Sequence, residues 1–394
     1  MPAALQHELY IRGTREQAAK QDFVATLRKY VLNDVAGEMR ERYETHIEPA
    51  LERAGKNPAS GPEVHDAMKP DPVFKLYSSM RYNTQEMVWR SVLGPLAEHR
   101  EALAERVAEA AAARTGGSLK LDPELAIPRN VSAIDVHLTP GSYHREDPKA
   151  PWMAGALYDH GFNVFSFGML GDNHDDIGQS MSNYIRHRYP DFKPAAILDL
   201  GCTIGHNTCG WKQTFPEARV VGADVAPACL RYAHARAQAQ GVAVDFEQVN
   251  ATDLPYEDDS FDVVFSSMFL HELSLKDIRK VLAEAHRVLR PGGLMLHMEL
   301  PPNAELAPYD AFYLDWDAYY NNEPFYKAFR DQDITALREE AGFSRDKHIQ
   351  FITPQYCRMS DDEYGRAVNE EQGFSENTGR LAEGIQWFGF GAWK

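Results

Sequence analysis

The chain reads as an α/β protein: a parallel sheet covered by helices on both faces, preceded by a mainly helical N-terminal domain. Three observations lead there. After Pro194, short apolar runs alternate with helical segments, the texture of strands joined by crossover helices. Before Gly117, apolar residues recur at helical spacing instead. Between the two, Pro, Gly, aromatic and His residues are dense and follow neither period. These shifts place a boundary near residue 190. Residues 1–190 form the helical domain, with a lid or recognition segment over about 119–190, and residues 191–394 form the sheet domain.

Each element has its own warrant. Thr14 and Gln17 are spaced for a capping box, opening a helix that runs to Gly55. Phe23, Leu27, Val31, Val35, Met39 and Tyr43 then recur every fourth residue as one apolar stripe. After the break at KNPASGPE come the stretch VFKLYSSMRYNTQEMVWRSVLG and an Ala-rich helix that stops at Gly116–Gly117. In the second half AAILDLG, ARVVGADV, VDFEQVN, FDVVFSSM and GLMLHMEL read as five strands. HIQFI and IQWFGFGAW supply a sixth and a seventh, separated by a polar stretch longer than a hairpin needs.

Bulk properties narrow the class. A net charge of -17 repels phosphate backbones, so a nucleic-acid partner is not expected. No run of about 18 apolar residues occurs, so no membrane span is expected. Four cysteines in 394 residues suit reduced thiols in a cytoplasmic protein, and MPAALQHELYIRGTREQ lacks the pattern of a secretory leader.

The chemistry concentrates at AAILDLGCTIGHNTCGW. Asp199 ends an apolar strand, and Gly201 and Gly205 follow in a turn that opens a helix. Small residues there let backbone approach a ligand or take positive φ. Asp224 ends the next strand, where a carboxylate accepts both hydroxyls of a ribose. Cys202, His206 and Cys209 in the same stretch lack a fourth ligand, and no metal is expected.

From Asp199 to Gly205 the sequence resembles the first motif of class I S-adenosylmethionine-dependent methyltransferases. VNATDLPYEDDSFDVVFSSMFLHEL and EAHRVLRPGGLMLHMEL are similar to later segments of the subgroup containing ubiquinone/menaquinone C-methyltransferases. The resemblance covers roughly Ala195 to Pro301. It implies a seven-stranded Rossmann-like methyltransferase sheet, S-adenosyl-L-methionine as cofactor and S-adenosyl-L-homocysteine as product. It also implies cofactor contacts. Asp199, Gly201 and Gly205 would line the methionine end, Asp224 would hold the ribose and Val225 would pack on the adenine. Asn250 would accept from the adenine amino group, beside the backbone of Ala251, and the carbonyl of Ser266 would face the cofactor's amino group. Thr203 stands where the family has its middle glycine, and its hydroxyl would reach the cofactor's carboxylate.

On the acceptor side, His271 follows the fourth of these strands and is placed to act as a base. Phe165 and Phe167, with Phe162, are candidates for a lid; Trp316, Tyr319 and Tyr320, with Tyr313, are candidates for an aromatic pocket. His137 and His144 with Asp135 and Asp147, and His174 among acids, read as turn and capping chemistry. The expected reaction is O- or C-methylation of an aromatic or polyketide-like small molecule, with S- and N-methylation open. An aminopropyl-type transferase, a cofactor-binding regulator without turnover, and a homodimer remain alternatives.

Overall fold

The computed structural model describes residues 7–113, 115–370, 373–375, 377–381 and 384–394. Residues 1–6 of the stretch read as having no secretory leader, and part of the polar stretch before the last strand, lie outside the described residues. Among the described residues no helix is long and apolar enough to cross a membrane.

One sheet organises the chain. Its strands are β1 (Leu119–Lys120), β2 (Ala196–Leu200), β3 (Arg219–Asp224), β4 (Asp245–Gln248), β5 (Phe261–Ser267), β6 (Leu289–Glu299), β7 (His348–Pro354) and β8 (Gln386–Trp393). They lie in the order β1-β4-β3-β2-β5-β6-β8-β7. The first six of these in the sheet are parallel neighbours. β8 runs antiparallel between β6 and β7. Among the described residues the sheet therefore has eight strands rather than seven. The additional one, β1, comes from the segment read as irregular. Gly117, at φ 78°, lies so close to β4 that a Cβ there would stand 2.1 Å from the Val244 carbonyl oxygen. Phe246 N–H then donates to Ser118 O at 2.7 Å. The glycine expected to end a helix also brings the chain onto the sheet edge.

Strand alternation feeds two layers. Leu198, Val221 and Val264 pack with Ile278, Leu282 and Leu337 on one face. Ile197, Val220 and Val263 pack with Ile177, Met181, Trp211 and Phe215 on the other. Ile177 and Met181 belong to the helix Asp176–Arg188, so this core runs straight across residue 190. N-terminal helices likewise share apolar clusters with Tyr232 and Ala235 and with Tyr313 and Phe312.

The first helix is continuous but not uniform. The Thr14–Gln17 capping box forms, and Arg15–Tyr30 is α-helical. Val31–Val35 and Tyr43–Ile47 are π-turns on either side of Ala36–Arg42, before Glu48–Arg53. An α-helix advances about 100° per residue, so a strict spacing of four drifts about 40° per step. The wider π-turns absorb that drift, and Val31, Val35, Met39 and Tyr43 are all buried. Before the first π-turn the stripe is displaced. Val24, Ala25 and Arg28 face inward, and Phe23 is exposed.

Candidate functional site

A cavity of about 470 Å³ opens at the C-terminal ends of β2 to β6. Its lining contains two chemically distinct halves.

In the first half, β2 delivers Asp199 into the turn. The Thr208 hydroxyl donates to Asp199 Oδ2 at 2.5 Å. Burial pushes the Asp199 carboxyl up to about 7, against that hydrogen bond and with the Asp224 charge. Gly201 has φ 72°, and the N–H groups of Gly201 and Cys202 both donate to Ala223 O. Thr203 is also left-handed, at φ 50°, which costs a branched residue about 1–2 kcal/mol. Its N–H donates to Asp224 Oδ2 at 2.9 Å, while Ala226 N–H donates to Oδ1 at 2.8 Å. The strained turn thus orients the carboxylate that ends β3. The Thr203 hydroxyl donates to Gly201 O at 3.3 Å, turned into its own loop rather than toward a ligand. Gly205, at φ 68°, is positional: a Cβ there would meet the Phe246 ring at 2.5 Å.

Val225, Asn250 and Ala251 line the same half. Asn250 differs from expectation in polarity. Its Oδ1 accepts from the N–H and the hydroxyl of Thr252 at 3.0 and 2.9 Å. What it has left for a ligand is the amide NH2, a donor rather than an acceptor. Ser266 lies behind the wall, its hydroxyl 2.7 Å from His297 Nδ1, and the lining residues there are Ser267 and Met268.

The second half is a buried cluster of imidazoles and carboxylates. His271 Nδ1 lies 2.5 Å from Glu299 Oε2, and Glu299 Oε1 accepts from Phe269 and Leu270 N–H at 2.9 and 2.7 Å. The one carboxylate therefore holds both the turn and the ring. His271 Nε2 faces Glu272 and Glu323 at 3.8 and 3.9 Å and has no hydrogen-bond partner among the described residues. Burial depresses the His271 pKa, but Glu299 and its neighbours outweigh it and the net shift is upward. His137 bridges Glu272 at 3.3 Å and Glu323 at 3.1 Å. Those carboxylates overcome its burial and raise it to about 10. Tyr143 and Tyr326 complete the wall.

Several expected acceptor residues lie elsewhere. The helix Pro308–Tyr320 turns Tyr313 and Asp317 to the cavity, followed by Asn321 at its end. Trp316 stacks on His65 at 3.7 Å between ring centroids, Tyr320 packs on Trp316, and Tyr319 is 64% exposed. The three are not part of the cavity lining. Phe162 and Phe165 do line the cavity, but from the helix Met153–Phe165 rather than a strand. Phe167, just beyond it at φ 58°, packs into the N-terminal cluster. Asp135 and Asp147 cap turns as expected, accepting from Gly141 and Lys149 N–H. His137, grouped with them from the sequence, belongs to the cavity instead. It occupies a left-handed conformation at φ 55°, and nothing in the local sequence announces that. Glu299, Glu323, Tyr143 and Arg28 were likewise not singled out; Glu299 was hidden inside an apolar strand. Among the described residues no group of three His, Cys, Asp or Glu is arranged to hold a metal ion.

The family model described as "Methyltransferase domain" matches residues 197–293, from β2 into β6. Those residues carry the likeness to methyltransferases. The chain is similar to the demethylmenaquinone methyltransferase of Thermus thermophilus, 38% identical over 127 residues, covering 32% of this chain and 55% of that protein. It is also similar to the malonyl-[acyl-carrier protein] O-methyltransferase of Hahella chejuensis, 34% identical over 33% of this chain and 44% of that one. A phthiotriol/phenolphthiotriol dimycocerosates methyltransferase of Mycobacterium ulcerans is 28% identical over 44% and 61% of the two chains. The chain spans about half the length of the curated relatives it matches. Among solved structures, a Haemonchus contortus phosphoethanolamine N-methyltransferase aligns with a TM-score of 0.41 and 19% identity over 59% of this chain and 57% of that one. The matched residues thus include Asp199, Asp224 and Asn250, while Arg28, His137, Tyr143 and Glu323 lie outside them.

Proposed function

We propose that the chain transfers a methyl group from S-adenosyl-L-methionine to a small-molecule acceptor, at a hydroxyl oxygen or an acidic carbon. The observation that supports the reading is that the Asp224 turn and His271, backed by Glu299, open into one cavity.

The donor set suits this cofactor. Asp224 keeps lone pairs beyond its two backbone bonds for ribose hydroxyls, Asp199 faces a cationic methionine end, and Asn250 offers its NH2 to a ring nitrogen. When bound, the cofactor supplies an electrophilic methyl on a sulfonium. The chain's own task is placement, and holding reactants near attack distance lowers a barrier by about 7–11 kcal/mol. Glu299 takes the Nδ1 proton of His271 as a hydrogen bond, which leaves Nε2 as the proton acceptor. As the acceptor atom gains the methyl, its proton passes to Nε2, and Glu272 and Glu323 stabilise the resulting imidazolium. Tyr143, Tyr158, Phe162 and Phe165 supply aromatic wall, which suits a flat or apolar acceptor.

The test is to incubate purified protein with S-adenosyl-L-methionine and a small-molecule extract. Release of S-adenosyl-L-homocysteine with new products heavier by one methylene is expected. Release of methylthioadenosine would identify an aminopropyl-type transferase, and cofactor binding without turnover would identify a regulatory protein.

A further inference from the structure

One wall of the cavity carries a guanidinium with no ion-pair partner among the described residues. Arg28, on the first helix, lines the cavity and is only 1% exposed. Its Nε donates to Phe165 O at 3.3 Å and its Nη1 to Gln85 Oε1 at 2.6 Å. The guanidinium also lies 4.1 Å from the Phe165 ring centroid. These are neutral partners. Among the described residues no carboxylate forms an ion pair with Arg28.

Its neighbours do not supply one. Arg81 shares the Gln85 oxygen at 3.1 Å and takes both oxygens of Asp317, Nε to Oδ1 at 2.5 Å and Nη2 to Oδ2 at 3.1 Å. Two guanidinium groups thus face one carboxylate, leaving one positive charge in surplus. Other buried arginines are placed differently, Arg236 lying 3.7 Å from Asp159. Arg330 pairs with Asp315 at 2.7 Å. Arg338 gives its N–H groups to the carbonyls of Ile334, Ile349 and Gly391, away from the cavity. Taking an unpaired cation out of water costs several kcal/mol, and a chain of net charge -17 had acids to spare for this place. A buried, cavity-facing guanidinium without one is arranged for an anion that arrives with a ligand.

We propose that Arg28 is the binding residue for a carboxylate on the methyl acceptor. The inference rests on the methyl-transfer reading and names the substrate class: an aromatic or hydrophobic acid. Nε and part of Nη1 are committed, so the outer edge of the guanidinium remains, whose paired N–H groups match a planar carboxylate. One surplus positive charge matches one negative. Phe165 stands between the two poles, its ring under Arg28 on one side and 6.4 Å from the His137 ring on the other. An acceptor anchored at Arg28 would cross that ring and present its reacting group to His271 and Glu272. Gln85 ties the poles together: it accepts from Arg28 and donates to His137 O at 3.0 Å.

The probes are benzoate and its uncharged counterpart benzamide, titrated by calorimetry into protein saturated with S-adenosyl-L-homocysteine. The wild-type chain should bind benzoate about tenfold or more tightly than benzamide, the worth of one charge-assisted hydrogen bond. In Arg28→Met that margin should vanish, with S-adenosyl-L-homocysteine affinity unchanged within about twofold. Arg28→Lys should keep part of it. Equal wild-type affinity for the two probes overturns the proposal, as does a variant that keeps the preference. Inorganic phosphate binding more tightly than benzoate would overturn it in favour of a phosphorylated acceptor. Should Arg28→Met fail to fold, the wild-type ratio still decides. Loss of S-adenosyl-L-homocysteine binding by the wild type would sink the methyl-transfer reading instead, a separate result.

Discussion

Cofactor binding should be coupled to a proton at Asp199. Buried at the end of β2, its carboxyl is held near 7, so at neutral pH about half of the empty molecules carry it uncharged. A cationic methionine end interacts with the ionised form. The pKa is raised, so the competent fraction is complete above about 7 and is lost as pH falls through it. Well below 7 each further pH unit weakens binding about tenfold, or about 1.4 kcal/mol. Going from pH 8 to pH 6 lowers the ionised fraction from about nine-tenths to about one-tenth, roughly a tenfold rise in Kd. Burial shifts Asp224 in the same direction, which steepens the trend. Calorimetry at these two pH values, in buffers of different ionisation enthalpy, should show the weakening and a release of about half a proton at pH 7. An equal Kd at pH 6 and pH 8, or the same slope in Asp199→Asn, would refute the coupling.

Four further outcomes follow from the geometry. Asp224→Ala should weaken cofactor binding by more than about tenfold, about 1.4 kcal/mol, and unchanged calorimetric affinity would remove the ribose assignment. The kcat profile should rise with pH to a midpoint above the 6.5 of ordinary histidine, because the neighbouring carboxylates hold the proton on His271; His271→Asn should flatten that limb. Acid should destabilise the fold. His160 is depressed to about 4, and His174, His206 and His297 to about 3, by burial. Their unfolded forms take up protons below about 6.5, each lowering stability by about 1.4 kcal/mol per pH unit. The raised carboxyls of Asp199 and Asp224 oppose part of this, and His137 adds stability that is full below about 6.5 and lost as pH rises through about 10. Urea midpoints should therefore fall on acidification below 6.5, and a flat profile from 6.5 to 5 would contradict the neutral burial of these rings. Tyr319→Ala should leave kcat/KM within about twofold, since a surface tyrosine contributes within about 0.5 kcal/mol; a larger loss would put Tyr319 at the acceptor.

The two halves of the cavity differ in how far the sequence reveals them. Asp199, Gly201, Thr203 and Asp224 lie on two adjacent strands and their turns, where spacing and residue type follow from local backbone geometry. The acceptor half is assembled from Arg28, His137, Phe165, His271, Tyr313 and Glu323, brought together only by tertiary packing. Residue type along the helix Pro308–Tyr320 does not say which neighbour each side chain meets. The aromatic Trp316–Tyr319–Tyr320 group therefore looked like a pocket, while Tyr313 and Asp317 are the ones that reach it. His137 was obscured for a different reason: its left-handed backbone turns an apparent loop residue inward. Asn250 lies where expected, yet its polarity is reversed by a hydrogen-bond choice that Thr252, two residues on, imposes.

The π-turns make the cavity sensitive to where the chain changes length rather than to side-chain identity. Leu32, Asn33, Ala36, Gly37 and Arg40 line the cavity around the first of them. A deletion inside a π-turn is absorbed, because closing it to an ordinary α-turn takes up one residue, but deleting Gly37 from the α-helical stretch between the two π-turns is not. Everything beyond would swing by about 100°. Arg40 would leave Asp310, and Met39 and Tyr43 would leave the cluster they share with Tyr309 and Phe312. The helix works as a vernier, its length between the π-turns setting which side chains meet the ligand. Pockets for other acceptors are thus reachable by one-residue insertions and deletions in that stretch, with the catalytic groups on the sheet left untouched.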